Sequence, residues 1–177
     1  FDAKRYAEAI PAFEAYLASK PDGEVAADAL TSIAWSRIML GQLDEASKTL
    51  ETLTSRFPTS KGLAPTRLRL AWAVLEKDKP AEAAAAFQAI VASGDEKLAP
   101  EAAWGRARAL DAAKQTDEAL KAYALVAEKY PDGERGGLAT LAQARLLTDA
   151  KRPAEAAAIY ERYLHDHPDP KAAPKGA

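Results

Sequence analysis

The sequence predicts an all-α fold: a solenoid of antiparallel helix pairs, one half unit followed by four full ones. Three observations carry this. The chain holds 43 Ala and 19 Leu but only 9 Val or Ile, a bias toward unbranched helix formers and away from sheet. A small residue recurs at Ala9, Ala46, Ala83, Ala119 and Ala156, with spacings of 37, 37, 36 and 37 residues, a period that suits one helix pair. Each copy then places a large apolar residue four positions on (Phe13, Leu50, Phe87, Tyr123, Tyr160) and another three further (Tyr16, Leu53, Ile90, Val126, Tyr163). Those offsets define one stripe of a helix.

The elements follow in order. The first stripe lies on a helix over 5–19, interrupted by Pro11, which should kink it and make it the site of first fraying. A helix over 25–40 follows, stopped at Gly41. Three more helices of this kind are expected over 63–76, 101–113 and 138–149. Each carries its own small residue twelve positions before the repeat Ala: Ala34, Ala71, Ala107 and Ala144. Paired small residues let two backbones approach closely, so each such helix should form a hairpin with the stripe-bearing helix after it. Pro80 and Pro153 open two of the stripe-bearing helices, where a missing N–H costs nothing. Pro21, Pro58, Pro131 and Pro168 close four of them twelve residues after the Ala. The links Pro21-Asp22-Gly23-Glu24 and Pro131-Asp132-Gly133-Glu134 have one sequence. The expected units are about 1–23, 24–61, 62–98, 99–134 and 135–170 in one repeat domain, with 171–177 a flexible tail or linker.

Composition narrows the chemistry. With 48% hydrophobic and 28% charged residues the chain is too balanced for disorder. A net charge of −2 gives no basic footprint for nucleic acid. No apolar run approaches the roughly 20 residues that span a bilayer, so direct membrane insertion is not expected. Cys is absent, which removes disulfides, thiolate metal sites and Cys nucleophiles. No phosphate-cradling glycine loop or nucleophile elbow occurs. His165 and His167, two apart, point to different sides of a helix and make a poor metal pair. Glu8, Glu45, Glu82, Glu118 and Glu155 recur before every repeat Ala, as first-turn residues favoured by the helix dipole rather than catalytic acids. The reading is therefore no enzyme, no cofactor and no metal.

These units resemble the tetratricopeptide repeat family, with its small residues at two matched positions, a large apolar residue after the second and a closing Pro. The resemblance covers about residues 1–168 and implies a right-handed superhelix; the period of 36–37 is longer than the family's usual 34. Units ending in Phe57-Pro58 or Tyr130-Pro131 are similar to the bacterial envelope subset associated with the outer membrane and the Tol–Pal system. That likeness favours a periplasmic or outer-membrane-associated setting over the cytoplasm.

The resemblance also implies a site. In the family the first helix of each pair lines a concave groove. The corresponding residues here are Trp35, Ile38 and Met39; Leu68, Trp72 and Leu75; Trp104, Arg108 and Asp111; and Leu141, Arg145 and Asp149. All three Trp residues of the chain fall among them. The groove would be aromatic in its first half and mixed-charge in its second, suited to a peptide with an apolar anchor and an acidic neighbour. Trp and Arg are also the residues most enriched in binding hot spots. The implied function is a protein–protein interaction scaffold for a partner peptide or helix, or for an adjoining segment of the same protein. The competing reading packs the three rings in the core. Position nine of the groove is Trp35, Trp72, Arg108 and Arg145 with no Asn, unlike the family's clamp for chaperone tails. Two other functions fit the same repeats: a structural spacer in a larger solenoid, and an accessory domain of an envelope or carbohydrate-handling complex.

The ends look open. The helix bearing Tyr16 lacks a hairpin partner, and Tyr160, Tyr163 and Leu164 have no following helix to cover them. Solenoids normally finish with a polar cap. The chain thus reads as an internal piece of a longer protein, or as one whose ends neighbours cover, with self-association through Tyr16 and Tyr163 as a further expectation.

Overall fold

The computed structural model describes residues 3–166. Among them are nine helices and no strand: α1 (Ala3–Ser19), α2 (Ala26–Met39), α3 (Leu43–Arg56), α4 (Leu63–Glu76), α5 (Pro80–Ala92), α6 (Ala99–Ala112), α7 (Thr116–Lys129), α8 (Glu134–Asp149) and α9 (Pro153–Asp166). They divide into two compact units, Phe1–Lys79 and Pro80–Ala177. Pro168, His167 and the tail 171–177 lie outside the described residues.

In the first unit α2 packs on α1, α3 and α4, and α3 also packs on α4. In the second, each helix from α5 to α9 packs on the next, and α6 also touches α8. The repeat alanines explain how. Ala34, Ala46, Ala71, Ala83, Ala107, Ala119, Ala144 and Ala156 are all buried. Ala9, on α1, is half-buried.

The helix ends follow local chemistry. α2, α4, α6 and α8 each end on a residue with positive φ, at Gly41 (74°), Asp78 (57°), Lys114 (60°) and Lys151 (59°). The next N–H reaches back five residues: Gln42 to Arg37 (2.9 Å), Lys79 to Val74 (3.3 Å), Gln115 to Leu110 (3.0 Å) and Arg152 to Leu147 (2.8 Å). This left-handed stop satisfies carbonyls that the helix leaves open. Gly supplies it only once; the other three positions use Asp or Lys, which composition alone does not flag. Pro80 and Pro153 are first residues of α5 and α9. Helix α1 continues on both sides of Pro11.

Three starts come earlier than the sequence suggests, α1 at Ala3 among them. Helix α8 begins at Glu134, so Gly136 and Gly137 are helical rather than part of the link. A Cβ at Gly136 would lie 2.0 Å from the carbonyl oxygen of Tyr130. The first turn of α8 therefore runs so close to the preceding link that only Gly fits. Helix α6 begins at Ala99, prepared by Asp95, whose carboxylate accepts from the N–H groups of Lys97 (3.0 Å) and Leu98 (3.3 Å). Asp95 stands twelve residues after Ala83, where the other four repeats have Pro.

The cores differ between units. The first is aliphatic, with Leu30, Ala34, Leu50, Leu53 and Leu63 as one cluster, and Leu17, Ala27, Phe57 and Leu70 against it. The second is aromatic, with Phe87, Trp104, Tyr123 and Tyr163 buried. Gly105 makes room for Phe87, since a Cβ there would lie 2.5 Å from the ring. The open-end expectation fails for one residue. Tyr163 is only 8% exposed, whereas Leu164 is 66% exposed. Tyr163 turns inward onto its own unit, so it offers no surface for self-association. Tyr16 is half-buried and lies against the following link, its hydroxyl where a Gly23 Cβ would come.

Candidate functional site

The sequence-derived groove residues split between the two units, and the units treat them differently. In the first, Trp35 stands one residue past the buried Ala34 and is 40% exposed. It borders an open cleft of about 600 Å3 with Thr31, Ser32 and Ser36 of α2 and Arg5, Tyr6 and Ala9 of α1. Thr31 donates to the Ala27 carbonyl (2.8 Å) and sits where a Gly62 Cβ would clash, which brings α2 and α4 close. Met39, Leu68, Trp72 and Leu75 are half-buried. Ile38 is not a surface residue: it is buried in a cluster with Ala46 and Ala73. A second opening of about 500 Å3 lies at the C-terminal ends of α2 and α4, bordered by Met39, Leu43, Arg69 and Lys77.

In the second unit the charged residues are engaged with one another. Arg145 of α8 donates to Asp111 of α6 at 2.7 Å and lies 3.6 Å from Asp149. The hydroxyl of Tyr123 on α7 donates to the same Asp111 oxygen at 3.4 Å. Burial pushes the Tyr123 phenol well above its ordinary pKa, and the Asp111 carboxylate pushes it further. A negative carboxylate beside a buried phenol keeps the proton in place. Arg135 donates to Glu101 at 2.5 Å, with its guanidinium carbon 6.0 Å from the centre of the Trp104 ring.

Trp104 is the main correction to the sequence-derived site. It is 9% exposed and packs on Tyr123, ring centres 5.5 Å apart and planes tilted by 53°. It stands three residues before its Ala, whereas Trp35 and Trp72 stand one residue after theirs. One turn of the helix separates the two settings, and the earlier one faces α7. Leu141 is half-buried, and Arg108 and Asp149 are exposed.

Reading the sequence missed the cleft's second wall. Arg5 and Tyr6 were not among the groove residues because they sit on the stripe-bearing helix rather than the groove-lining kind. It also missed the ion pairs Arg135–Glu101 and Arg145–Asp111, although both have a visible signal: opposite charges 34 residues apart, about one repeat.

The described residues contain no group of three His, Cys, Asp or Glu able to hold a metal. None of their helices is long and apolar enough to cross a membrane. Three models described as tetratricopeptide repeat match residues 1–64, 68–134 and 139–170. The chain belongs to the tetratricopeptide repeat family. Repeats of this family act in general as protein-interaction scaffolds rather than catalysts, and that coarse role comes with the fold. No curated protein matches the sequence. Among solved structures, it is similar to a MamA protein (20% identity, TM-score 0.68, covering 98% of this chain and 88% of that one). It is also similar to MamA from Desulfovibrio magneticus RS-1 (13%, 0.65, 90% and 84%). Nearly identical TPR-like repeats of a kinesin light chain from Podosopora anserina give 18%, 0.63, 92% and 90%. At these identities the likeness shows the fold.

Proposed function

We propose that this tetratricopeptide repeat chain binds a partner peptide or helix through the α2 and α4 face of its first unit, with Trp35 as the anchor. The observation that carries this is a Trp 40% exposed on the wall of a cleft of about 600 Å3. A large ring held in water on a rigid helix loses little entropy on binding and gains much buried area. Met39, Leu68, Trp72 and Leu75 extend the apolar surface, and Arg5 supplies a cation at its edge. The partner is therefore an apolar residue with an acidic neighbour. The charged row of the second unit is largely self-paired and is not part of this face.

The test compares partner capture by the natural chain and by Trp35→Ala combined with Trp72→Ala. We expect unchanged helicity and a loss of binding of about 2 kcal/mol or more, roughly thirtyfold. Capture that is unaffected sinks the groove model. Exposed Trp also stacks on sugars, so titrating Trp fluorescence with glycans beside peptides separates an accessory role in a carbohydrate-handling complex. The unit ends Phe57-Pro58 and Tyr130-Pro131 support a bacterial envelope setting, which fractionation of the source cells checks.

A further inference from the structure

The second unit holds a cavity that the first unit fills. Helices α7, α8 and α9 surround a space of about 620 Å3, within the range of small-molecule sites. Counted from the repeat alanines, the matching place in the first unit lies among α1, α2 and α3. There Leu17, Leu30, Ile33 and Leu53 occupy the positions that Ala127, Thr140, Gln143 and Tyr163 occupy here. Leu30 and Leu53 belong to the aliphatic cluster, and Leu17 packs against it. In the second unit Leu has become Ala, Leu has become Thr, and Ile has become Gln. These three changes remove volume and two of them add hydrogen-bonding groups, while the fourth, Leu53 to Tyr163, adds a ring. A unit that only had to stack would keep the hydrocarbon, because empty space and buried polar groups both weaken a core.

The lining is specific in its chemistry. The Thr140 hydroxyl donates to the Gly136 carbonyl at 3.1 Å, so it faces a ligand as an acceptor. Gln143 offers both a carbonyl and an amide. At the rim stand Arg162 and Asp166 of α9 and Glu128 of α7, all exposed. Arg162 and Glu128 form no ion pair with another described residue, and the Asp166 carboxylate lies 3.0 Å from Nδ1 of His165. One exposed cation and two carboxylates around a polar floor suit a ligand with a carboxylate at one end and an ammonium at the other.

We propose that this cavity binds a lysine-type zwitterion: the carboxylate on Arg162, the side-chain ammonium between Glu128 and Asp166, and the stem over Ala124 and Ala127. Free lysine and the C-terminal lysine of a peptide share this chemistry. The site is separate from the Trp35 surface, so its failure leaves the proposed scaffold role standing.

Calorimetry on the full chain tests it with L-lysine, 6-aminohexanoate, cadaverine, hexanoate, and Gly-Gly-Lys with a free or amidated C-terminus. Saturable binding is expected for L-lysine and 6-aminohexanoate, with cadaverine and hexanoate at least about tenfold weaker. Arg162→Gln and Glu128→Gln should each weaken binding by about tenfold or more. Ala127→Leu, which restores the first unit's residue, should abolish it while raising the melting temperature. Thr140→Leu, which restores the first unit's Leu30, serves as the second filling variant if Ala127→Leu fails to fold. Tighter binding of free-ended Gly-Gly-Lys than of L-lysine assigns the peptide source, and the reverse order the free amino acid. No saturable heat with any probe up to about 10 mM, or equal binding by the filled variants, overturns the proposal.

Discussion

The two units share a repeat but finish it in opposite ways. The first packs its interior with Leu17, Leu30 and Leu53 and leaves a Trp at the surface. The second draws its Trp inward onto Tyr123, locks Arg145 on Asp111, and opens a cavity among α7, α8 and α9. The buried alanines are common to both. Backbone approach is thus set by small residues at fixed places, which leaves the neighbouring positions free to diverge into a binding face in one unit and a charged, hollow one in the other.

The largest expected effect breaks the comparison at the start of α8. Gly136→Ala puts a Cβ 2.0 Å from the Tyr130 carbonyl oxygen, a backbone clash that no rotamer relieves. We expect a loss of about 3 kcal/mol or more in denaturant unfolding. The first unit carries Ala26 at the matching position, buried without a clash. A smaller loss at G136A would mean that the α7–α8 link gives way. Next comes the seam itself. Ala119→Leu should overpack α6 against α7 and cost about 1–3 kcal/mol. Ala9→Leu, half-buried on α1, should change stability by no more than about 0.5 kcal/mol. Equal costs at the two sites would refute the idea that full burial of the repeat Ala is what makes it obligatory.

The smallest effect is a pH difference. Tyr123 holds its proton more tightly in the folded protein than in the unfolded chain, through burial first and Asp111 second. Its contribution is complete below the ordinary tyrosine value of about 10. Above that the unfolded chain releases a proton that the folded one keeps, so stability falls as pH rises. Tyr123→Phe should flatten the loss of melting temperature above about pH 10 relative to the natural chain. Parallel curves for the two proteins would show that the phenol does not sense its surroundings.

The repeat was legible because its marks are chemical extremes: Ala where backbones meet, aromatic or aliphatic bulk one turn later, Pro at the ends. The starts of α5 and α9 at Pro80 and Pro153 came from the same logic. What stayed hidden depends on partners rather than on residue type. Trp35 and Trp104 are one chemistry on nearly one helical face, and a shift of one turn along the axis brings Trp104 against Tyr123 while Trp35 stays 40% exposed. Gly136 and Gly137 read as a link because glycine usually breaks helices, yet close approach to Tyr130 demands glycine inside one. Tyr163 looked uncovered because a following helix was expected to do what its own unit does.

Within each unit no helix packs on anything beyond the next helix but one. Sequence distance and spatial distance therefore rise together, which keeps loop closure short at every step. Each unit should form quickly, growing from any one hairpin. Drawn from its ends, it should release helices one at a time rather than all at once. A chain built this way can lend its surface to a partner under tension and shorten again when the load is gone.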